Sequence, residues 1–198
     1  MKRLFQICLF AIVFTACNSS ANQEKKQQWE RDAEYFNAIE QAENSPQIEK
    51  NLFLGFKFGM TPNEVKQHIN KLRKEKKIHV DQFGDYYYIF HTNHGDAKMT
   101  FSPAYYNDSL YRMQYGFTGM PGAVCIVTAK DLFDKANLGY KSYTYQIEGF
   151  RPELYRIKDN VIVMFDFDLA RMTYTNAPIT KQIEAKNKRK TNETLLDF

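Results

Sequence analysis

Short segments of alternating apolar and polar residues dominate the chain from about residue 85 to residue 175. Between residues 111 and 117, Tyr, Met and Phe alternate with Arg, Gln and Gly, so one face of a strand is buried and the other faces water. Asn- and Asp-containing turns separate the segments, which is typical of hairpins. The pattern predicts antiparallel strands at about 85–92, 97–104, 109–118, 142–148, 153–158, 161–167 and 170–175.

A helix start precedes the first group of strands. Thr61 can cap a helix, Pro62 suits its first position, and Glu64 can bond back to the cap. Apolar residues then recur on one face, which predicts a helix from Pro62 to about Lys77. A short extended run at 52–59 leads into it.

The second half of the chain follows the same plan. Thr128, with Asp131 three residues later, resembles another capped helix start, and Gly139 can end that helix. The chain is therefore predicted to be α+β, with a globular body at 28–178 built from two helix-plus-antiparallel-sheet units at about 52–118 and 119–178. Either a tandem repeat or a chance recurrence accounts for this pattern.

Helical periodicity also precedes and follows these units. From about Gln28 to Glu43, the apolar residues Trp29, Ala33, Phe36, Ile39 and Ala42 predict an amphipathic helix that packs on the body or on a partner. Residues 179–198 form a polar, basic tail, interpreted as a frayed helix or a disordered segment; the alternative is a contact of its bases with anionic lipid or nucleic acid.

The N-terminus has the organisation of a secretory signal. Lys2 and Arg3 precede an apolar run at 4–14, and the small residues Thr15 and Ala16 follow. The run has about 11 residues, whereas a membrane-spanning helix needs roughly 20. We therefore expect residues 1–16 to be a cleaved signal peptide.

The sequence at 14–17, Phe-Thr-Ala-Cys, resembles the lipobox of bacterial lipoproteins, with Phe where Leu is preferred, as Bacteroidetes-type lipoboxes allow. The resemblance implies that Cys17 becomes the acylated first residue and that residues 17–27 form a lipidated tether. Several acyl chains bind a membrane stably. Surface-exported relatives carry an acidic cluster after the cysteine, whereas Glu24 here precedes two lysines. The expected location is the cell envelope, at the outer membrane facing the periplasm.

The motif at 59–65, Gly-Met-Thr-Pro-Asn-Glu-Val, opens the first helix. It resembles the helix start of BamE/SmpA-like outer-membrane lipoproteins and of β-lactamase-inhibitor-protein-like modules. Both groups combine helices with three or four antiparallel strands, and both bind proteins. The resemblance covers about 60 residues of the first half and implies a shared architecture. No functional residue is carried over by it.

The composition narrows the functional class. A formal charge of +4 over 198 residues is too small for a dedicated nucleic-acid binder, so no nucleic-acid partner is expected. The chain has no nucleophile-elbow, phosphate-loop or paired-cysteine motif. We therefore expect a non-enzymatic lipoprotein without a cofactor that binds an envelope protein or peptide. The alternative is an envelope hydrolase or a small-ligand-binding protein.

Tyrosine is the residue type that best suits a binding face. Tyr86, Tyr88, Tyr105 and Tyr106 are the candidates, because exposed tyrosine favours protein contacts; antiparallel sheets also simply favour tyrosine.

The remaining histidine, aspartate and cysteine side chains fit structural roles better than chemical ones. His91, His94 and Asp96 fit a hairpin turn better than a metal site, because their spacing does not bring them together on an extended strand. Asp166 and Asp168 share a strand face but suit a turn better than acid–base catalysis. Three further predictions concern single residues: Cys125 is an inert core thiol, whereas His68 and His79 are solvated.

Overall fold

The computed structural model describes residues 2–46, 48–92, 95–119, 121–147 and 151–196, with the backbone alone before Asn22 and after Lys188. Its helices are α1 (Lys2–Glu43), α2 (Pro62–Lys74), α3 (Gly122–Ala136) and α4 (Ala177–Leu196). Its strands are β1 (His79–Val80), β2 (Tyr86–Thr92), β3 (Gly95–Tyr106), β4 (Ser109–Thr118), β5 (Lys141–Tyr145), β6 (Glu153–Lys158), β7 (Val161–Asp166) and β8 (Arg171–Asn176). The predicted α+β class is confirmed. Over the described residues, none of the helices has the length and apolarity needed to cross a membrane.

The eight strands form one antiparallel sheet in the order β1-β2-β3-β4-β8-β7-β6-β5. It consists of two four-stranded meanders, β1–β4 and β5–β8, which join through their last strands. We call the side of the sheet that carries α2, α3 and the segment 52–60 the inner face, and the opposite side the outer face.

The main core lies on the inner face. Met113 and Tyr115 of β4 and Met172 of β8 are fully buried there, together with Phe56 and Phe133 from the overlying segment and helix. Burying each such side chain contributes about 1.5–3 kcal/mol. Because β4 and β8 both contribute, a single core crosses the junction of the two meanders.

The outer face has a smaller core over the second meander only. Ala38 and Ala42 of α1 pack against Ile157 of β6 and Ala177 at the start of α4. Lys181 of α4 also pairs with Glu43 of α1 at 3.4 Å. Two helices therefore cover part of the outer face of β5–β8.

The buried side of α1 differs from the predicted stripe. Tyr35, Ala38 and Ala42 face the sheet, whereas Trp29 is 77% exposed and Phe36 is 53% exposed. Ala42 and the half-buried Ile39 belong to the predicted stripe, so the prediction is right at this end of the helix and wrong at Trp29 and Phe36. The helix also runs through residues 2–27, the segment assigned from the sequence to the signal and tether. Signal cleavage and tethering remain predictions about the processed protein.

Helix α2 begins as predicted. The Glu64 backbone N–H donates to Thr61 Oγ1, and the Thr61 backbone N–H donates to the Glu64 carboxylate at 2.8 Å, which completes a capping box. Val65 and Leu72 are its buried residues. The helix ends at Lys74, three residues before the predicted end.

Helix α3 begins earlier than predicted. It starts at Gly122, after Pro121, and Thr128 lies buried in mid-helix. Cys125, Thr128, Ala129, Leu132 and Phe133 recur at helical spacing on the buried side, so the apolar run at 123–127 is the first part of this helix. The predicted cap at Thr128 is therefore wrong.

The segment before α2 is tighter than the extended run that the sequence indicates. Phe53–Gly55 forms a 3-10 turn in which Leu54 and Gly55 have positive φ angles of 60° and 78°. The turn directs the Leu54 carbonyl to His68 Nε2 at 2.9 Å, and His68 is half-buried against the Phe56 ring. The prediction of a solvated His68 is therefore wrong.

The C-terminal segment is helical where the sequence left two alternatives. Helix α4 follows β8 without a loop, and the Ala177 backbone N–H donates to the Asn160 carbonyl at 2.9 Å. Residues of its first turns face the sheet, whereas most later described side chains are exposed.

Candidate functional site

The four tyrosines predicted to form a binding face lie on both sides of the sheet. Tyr86, Tyr88 and Tyr105 are half-buried and pack against the main core on the inner face. Tyr106 points the other way, and Lys186 of α4 lies 5.8 Å from the centre of its ring. The structure thus places three of the four on one face, against the core, and their role in binding remains a prediction.

The outer face of the first meander carries a different tyrosine. Tyr87 stacks on His79 of β1 with ring centres 5.5 Å apart, and Lys98 of β3 lies 4.9 Å from the Tyr87 ring centre. His79 is exposed, as predicted. Lys98 and Ser102 are exposed as well. We call this surface, the outer side of β2 and β3, the open face.

A groove lies beside the open face, where α1 and α4 cross the outer side of β4, β8, β7 and β6. It encloses about 650 Å³, within the range of small-molecule sites. Its floor consists of strand side chains, and its walls come from the two helices. The floor includes Arg112, Gln114, Arg171, Thr173 and Thr175.

Strand register places these polar side chains together. Arg112 pairs with Thr175, Gln114 with Thr173, and Gly116 with Arg171. The two arginines therefore stand at opposite ends of the floor, about 13 Å apart along the strands, with Thr173 between them. A register shift at Ala104/Tyr105 lets Tyr111 line the groove beside its neighbour Arg112.

Several polar atoms of the floor have no hydrogen-bond partner. Arg112 Nε, Arg171 Nε and Thr173 Oγ1 are buried and unpaired, and they make up three of the four such side-chain atoms found among the described residues. Buried polar groups are nearly always paired in proteins. The floor is thus the part of the described structure with the most unsatisfied hydrogen-bonding capacity.

The two arginines differ in their neighbours. Arg171 Nη2 donates to Asp166 Oδ2 at 3.0 Å, so its charge is balanced within the sheet. Arg112 lies 5.8 Å from the Tyr111 ring centre, and among the side chains that the structure describes it has no acidic partner. Arg112 is therefore the unbalanced cation of the floor.

The walls combine aromatic, aliphatic and acidic groups. Tyr35 of α1 lies 4.8 Å from Tyr155 of β6 between ring centres, and the Tyr155 hydroxyl donates to Glu153. Burial raises the pKa of both tyrosines, so both stay neutral at physiological pH. Ile39, Ile162 and Ile183 supply apolar surface, and Glu43 and Glu184 stand on the helix side.

The two aspartates considered for acid–base catalysis lie at the turn between β7 and β8. Asp166 accepts hydrogen bonds from the backbone N–H groups of Asp168 and Leu169, which closes the β7–β8 turn. Asp168 is exposed, and its Oδ1 lies 3.4 Å from Arg151 Nη1. Both acids thus stabilise the turn and its neighbours.

The hairpin histidine forms a pair across its own turn. His91 Nδ1 lies 2.7 Å from Asp96 Oδ1, and His94 lies outside the described residues. Within the described part of the chain, no group of three or more His, Cys, Asp or Glu side chains is placed to hold a metal ion. Cys125 is buried in α3, as expected for a core thiol. Cys17 lies in the part of α1 whose side chains are not described.

Sequence reasoning missed the groove floor, although a signal for it exists. The tetrapeptide Arg-Met-Gln-Tyr begins at Arg112 and Arg-Met-Thr-Tyr begins at Arg171, so both central strands carry an Arg-Met-x-Tyr motif. In the sheet the motifs pair crosswise, because Met113 faces Tyr174 and Tyr115 faces Met172.

Comparison with known proteins adds no relative. No family model, no curated protein and no solved structure matches this chain.

Proposed function

We propose that this protein is a lipid-anchored lipoprotein of the bacterial cell envelope that binds another envelope protein or peptide without catalysis. The proposal places it at the outer membrane, facing the periplasm. The observation that carries the binding role is the open face, where the outer side of β2 and β3 stays accessible while α1 and α4 cover part of the second meander.

The sequence at the N-terminus supports the anchor. Residues 2–16 have the charge, apolar run and small residues of a signal, and Cys17 follows at the position that a lipobox requires. Acylation of Cys17 ties the chain to a membrane. A polar segment at 18–27 then separates the anchor from the body.

The chemistry of the open face supports a partner with acidic and apolar groups. Lys98 is an exposed cation on this side, and Asp96 is paired with His91. Tyr87 and Ile89 add half-buried apolar area beside these charges. Aromatic side chains are enriched at protein interfaces.

A duplication of one unit explains the arrangement of the two meanders. Each is preceded by a helix, and their last strands carry the Arg-Met-x-Tyr motif and pair about a local two-fold. We infer that the two units are tandem copies that diverged when α1 and α4 came to pack mainly against the second.

Cross-linking from the open face tests the binding role. A photo-cross-linking amino acid at Ser102, which is exposed on β3, should capture one recurrent envelope protein. The same amino acid at the exposed Gln67 of α2, on the other side of the sheet, is the matched control.

A charge reversal distinguishes a specific partner from background. Lys98→Glu should abolish the Ser102 cross-link, whereas Lys66→Glu, an equal change on exposed α2, should leave it intact. Equal yields in the two variants would contradict binding through the open face.

Fractionation tests the anchor separately. Cys17→Ala should release the protein from the membrane fraction, and a lipoprotein signal-peptidase inhibitor should leave the uncleaved precursor. Unchanged membrane association of Cys17→Ala would refute lipidation at this residue.

The alternative function is binding of a small ligand, and the groove is the observation that favours it. Its volume, polar floor and apolar walls are those of a ligand site. A hydrolase has no comparable support, because the two acids considered for catalysis are bound to turn amides and an arginine.

A further inference from the structure

We propose that the groove between α1, α4 and the sheet binds a monocarboxylate that carries an apolar or aromatic body. The carboxylate group meets the Arg112 guanidinium, and the body lies between the helices. This site is distinct from the open face and goes beyond the proposed partner binding.

The unpaired atoms of the floor are the first argument. Thr173 is only 5% exposed, yet its hydroxyl has no hydrogen-bond partner, and Nε of each flanking arginine is also unpaired. An oxyanion accepts several hydrogen bonds at once. An anion in the groove supplies acceptors next to two lining residues, Thr173 and Arg112, whose donors lack partners.

The charged side chains around the groove indicate the charge of the ligand. Arg171 is paired with Asp166, and Lys181 is paired with Glu43. Arg112 is left without an acidic partner among the described side chains, while Glu184 adds one negative charge on the α4 side. A single negative charge pairs locally with Arg112, whereas the second charge of a dianionic phosphate finds no unpaired cation among the described groove residues and is repelled by Glu184.

The shape of the cation favours a carboxylate. The Arg112 guanidinium carbon lies 5.8 Å from the Tyr111 ring centre. The guanidinium is a planar fork, and its paired N–H groups match the two oxygens of a carboxylate.

The walls define the rest of the ligand. Ile39, Ile162 and Ile183 provide aliphatic contact, and the neutral Tyr35 and Tyr155 provide aromatic contact. A volume of about 650 Å³ holds a drug-sized body in addition to the charged group. The carboxylate can belong to a free small acid or to the C-terminus of a peptide.

Calorimetric titration of the purified full chain tests the proposal. One probe pair is 3-phenylpropionate and its neutral amide, and the second is an acetylated tripeptide ending in phenylalanine, as the free acid and as the amide. We expect at least one acid to bind about tenfold or more tightly than its amide, because a charged hydrogen bond is replaced. If only one of the two acids binds, that result shows whether the carboxylate of the ligand comes from a free small acid or from the C-terminus of a peptide.

Two groove variants and one control locate the site. Arg112→Gln should weaken binding of the preferred acid about tenfold or more, and Arg73→Gln on the exposed surface of α2 should not. Thr173→Val should weaken binding several-fold while leaving the melting temperature of the ligand-free protein unchanged or raised, because it removes a buried unpaired hydroxyl.

Three results would overturn the proposal. The first is equal affinity of the protein for each acid and its amide. The second is the absence of binding by both acids. The third is equal affinity of Arg112→Gln and Arg73→Gln for the preferred acid. If Arg112→Gln does not fold, unaltered binding by folded Thr173→Val is the overturning result. The Ser102 cross-linking result is independent of all three, so failure of this site and failure of partner binding can be told apart.

Discussion

The two meanders have the same strand order relative to the junction, but they differ in what covers their outer sides. The second, β5–β8, is covered in part by α1 and α4 through Ala38, Ala42 and Ala177. The first, β1–β4, keeps exposed side chains such as Lys98 and Ser102 on its outer side. Stability of the first meander therefore comes from its inner face and from pairing with β8, which leaves its outer side available for binding.

The junction is where a change should affect both meanders most. Met113→Ala and Met172→Ala each remove a fully buried side chain from the inner face of β4 or β8. We expect each to lower the free energy of unfolding by about 2–5 kcal/mol. Chemical denaturation should show one transition for both variants, and two separate transitions would show that the meanders fold independently.

The covered and open outer sides should respond very differently to a new charge. Ala42→Asp places a carboxylate where the side chain is 1% exposed and should cost about 3 kcal/mol of stability. Ser102→Asp, on the exposed side of β3, should change stability by no more than about 0.5 kcal/mol. Thermal melts compare the two, and equal effects would contradict the difference in covering.

The equivalent tyrosines of the junction make different hydrogen bonds. The Tyr115 hydroxyl donates to the Phe53 carbonyl at 2.8 Å, and the Tyr174 hydroxyl donates to Asn137 Oδ1 at 2.9 Å. Asn137 is only 1% exposed, so Tyr174→Phe leaves a buried acceptor and should cost about 1–3 kcal/mol.

Tyr115→Phe is the matched comparison, because it removes the same hydroxyl from the other meander. It should cost about 1 kcal/mol, since that hydrogen bond is only partly buried. Urea denaturation gives both values, and a larger cost for Tyr115→Phe would reverse the expected order.

Substitutions at the starts of α2 and α3, the helices that precede the meanders, should have the smallest effects on stability. Helix α2 has a capping box, whereas Pro121 at the start of α3 makes no side-chain capping bond. Thr61→Ala should lower the free energy of unfolding by about 1 kcal/mol, and Pro121→Ser should raise it by about 0.5 kcal/mol. Melting temperatures should thus move in opposite directions, and a loss of stability in Pro121→Ser would show that its proline has another role.

Local patterns in the sequence determined much of the secondary structure. Alternation over the segments at 85–175 predicts β2–β8, because each strand buries one face, whereas the two-residue strand β1 lies outside the predicted segments. The Thr61–Glu64 cap is also predictable, since both partners lie within one turn. The start of α3 was not, because a Thr and an acid at cap spacing also occur inside the helix.

Tertiary structure alone decided which sides of these elements meet. It selected Tyr35 and Ala38 of α1 for burial instead of Trp29 and Phe36, and it paired β4 with β8 although most of the second unit separates them in sequence. That pairing places Arg112, Thr173 and Arg171 on one groove floor. No local pattern carries this information, because contacts between distant segments depend on the packing of the whole chain, whereas caps, turns and strand alternation depend on near neighbours.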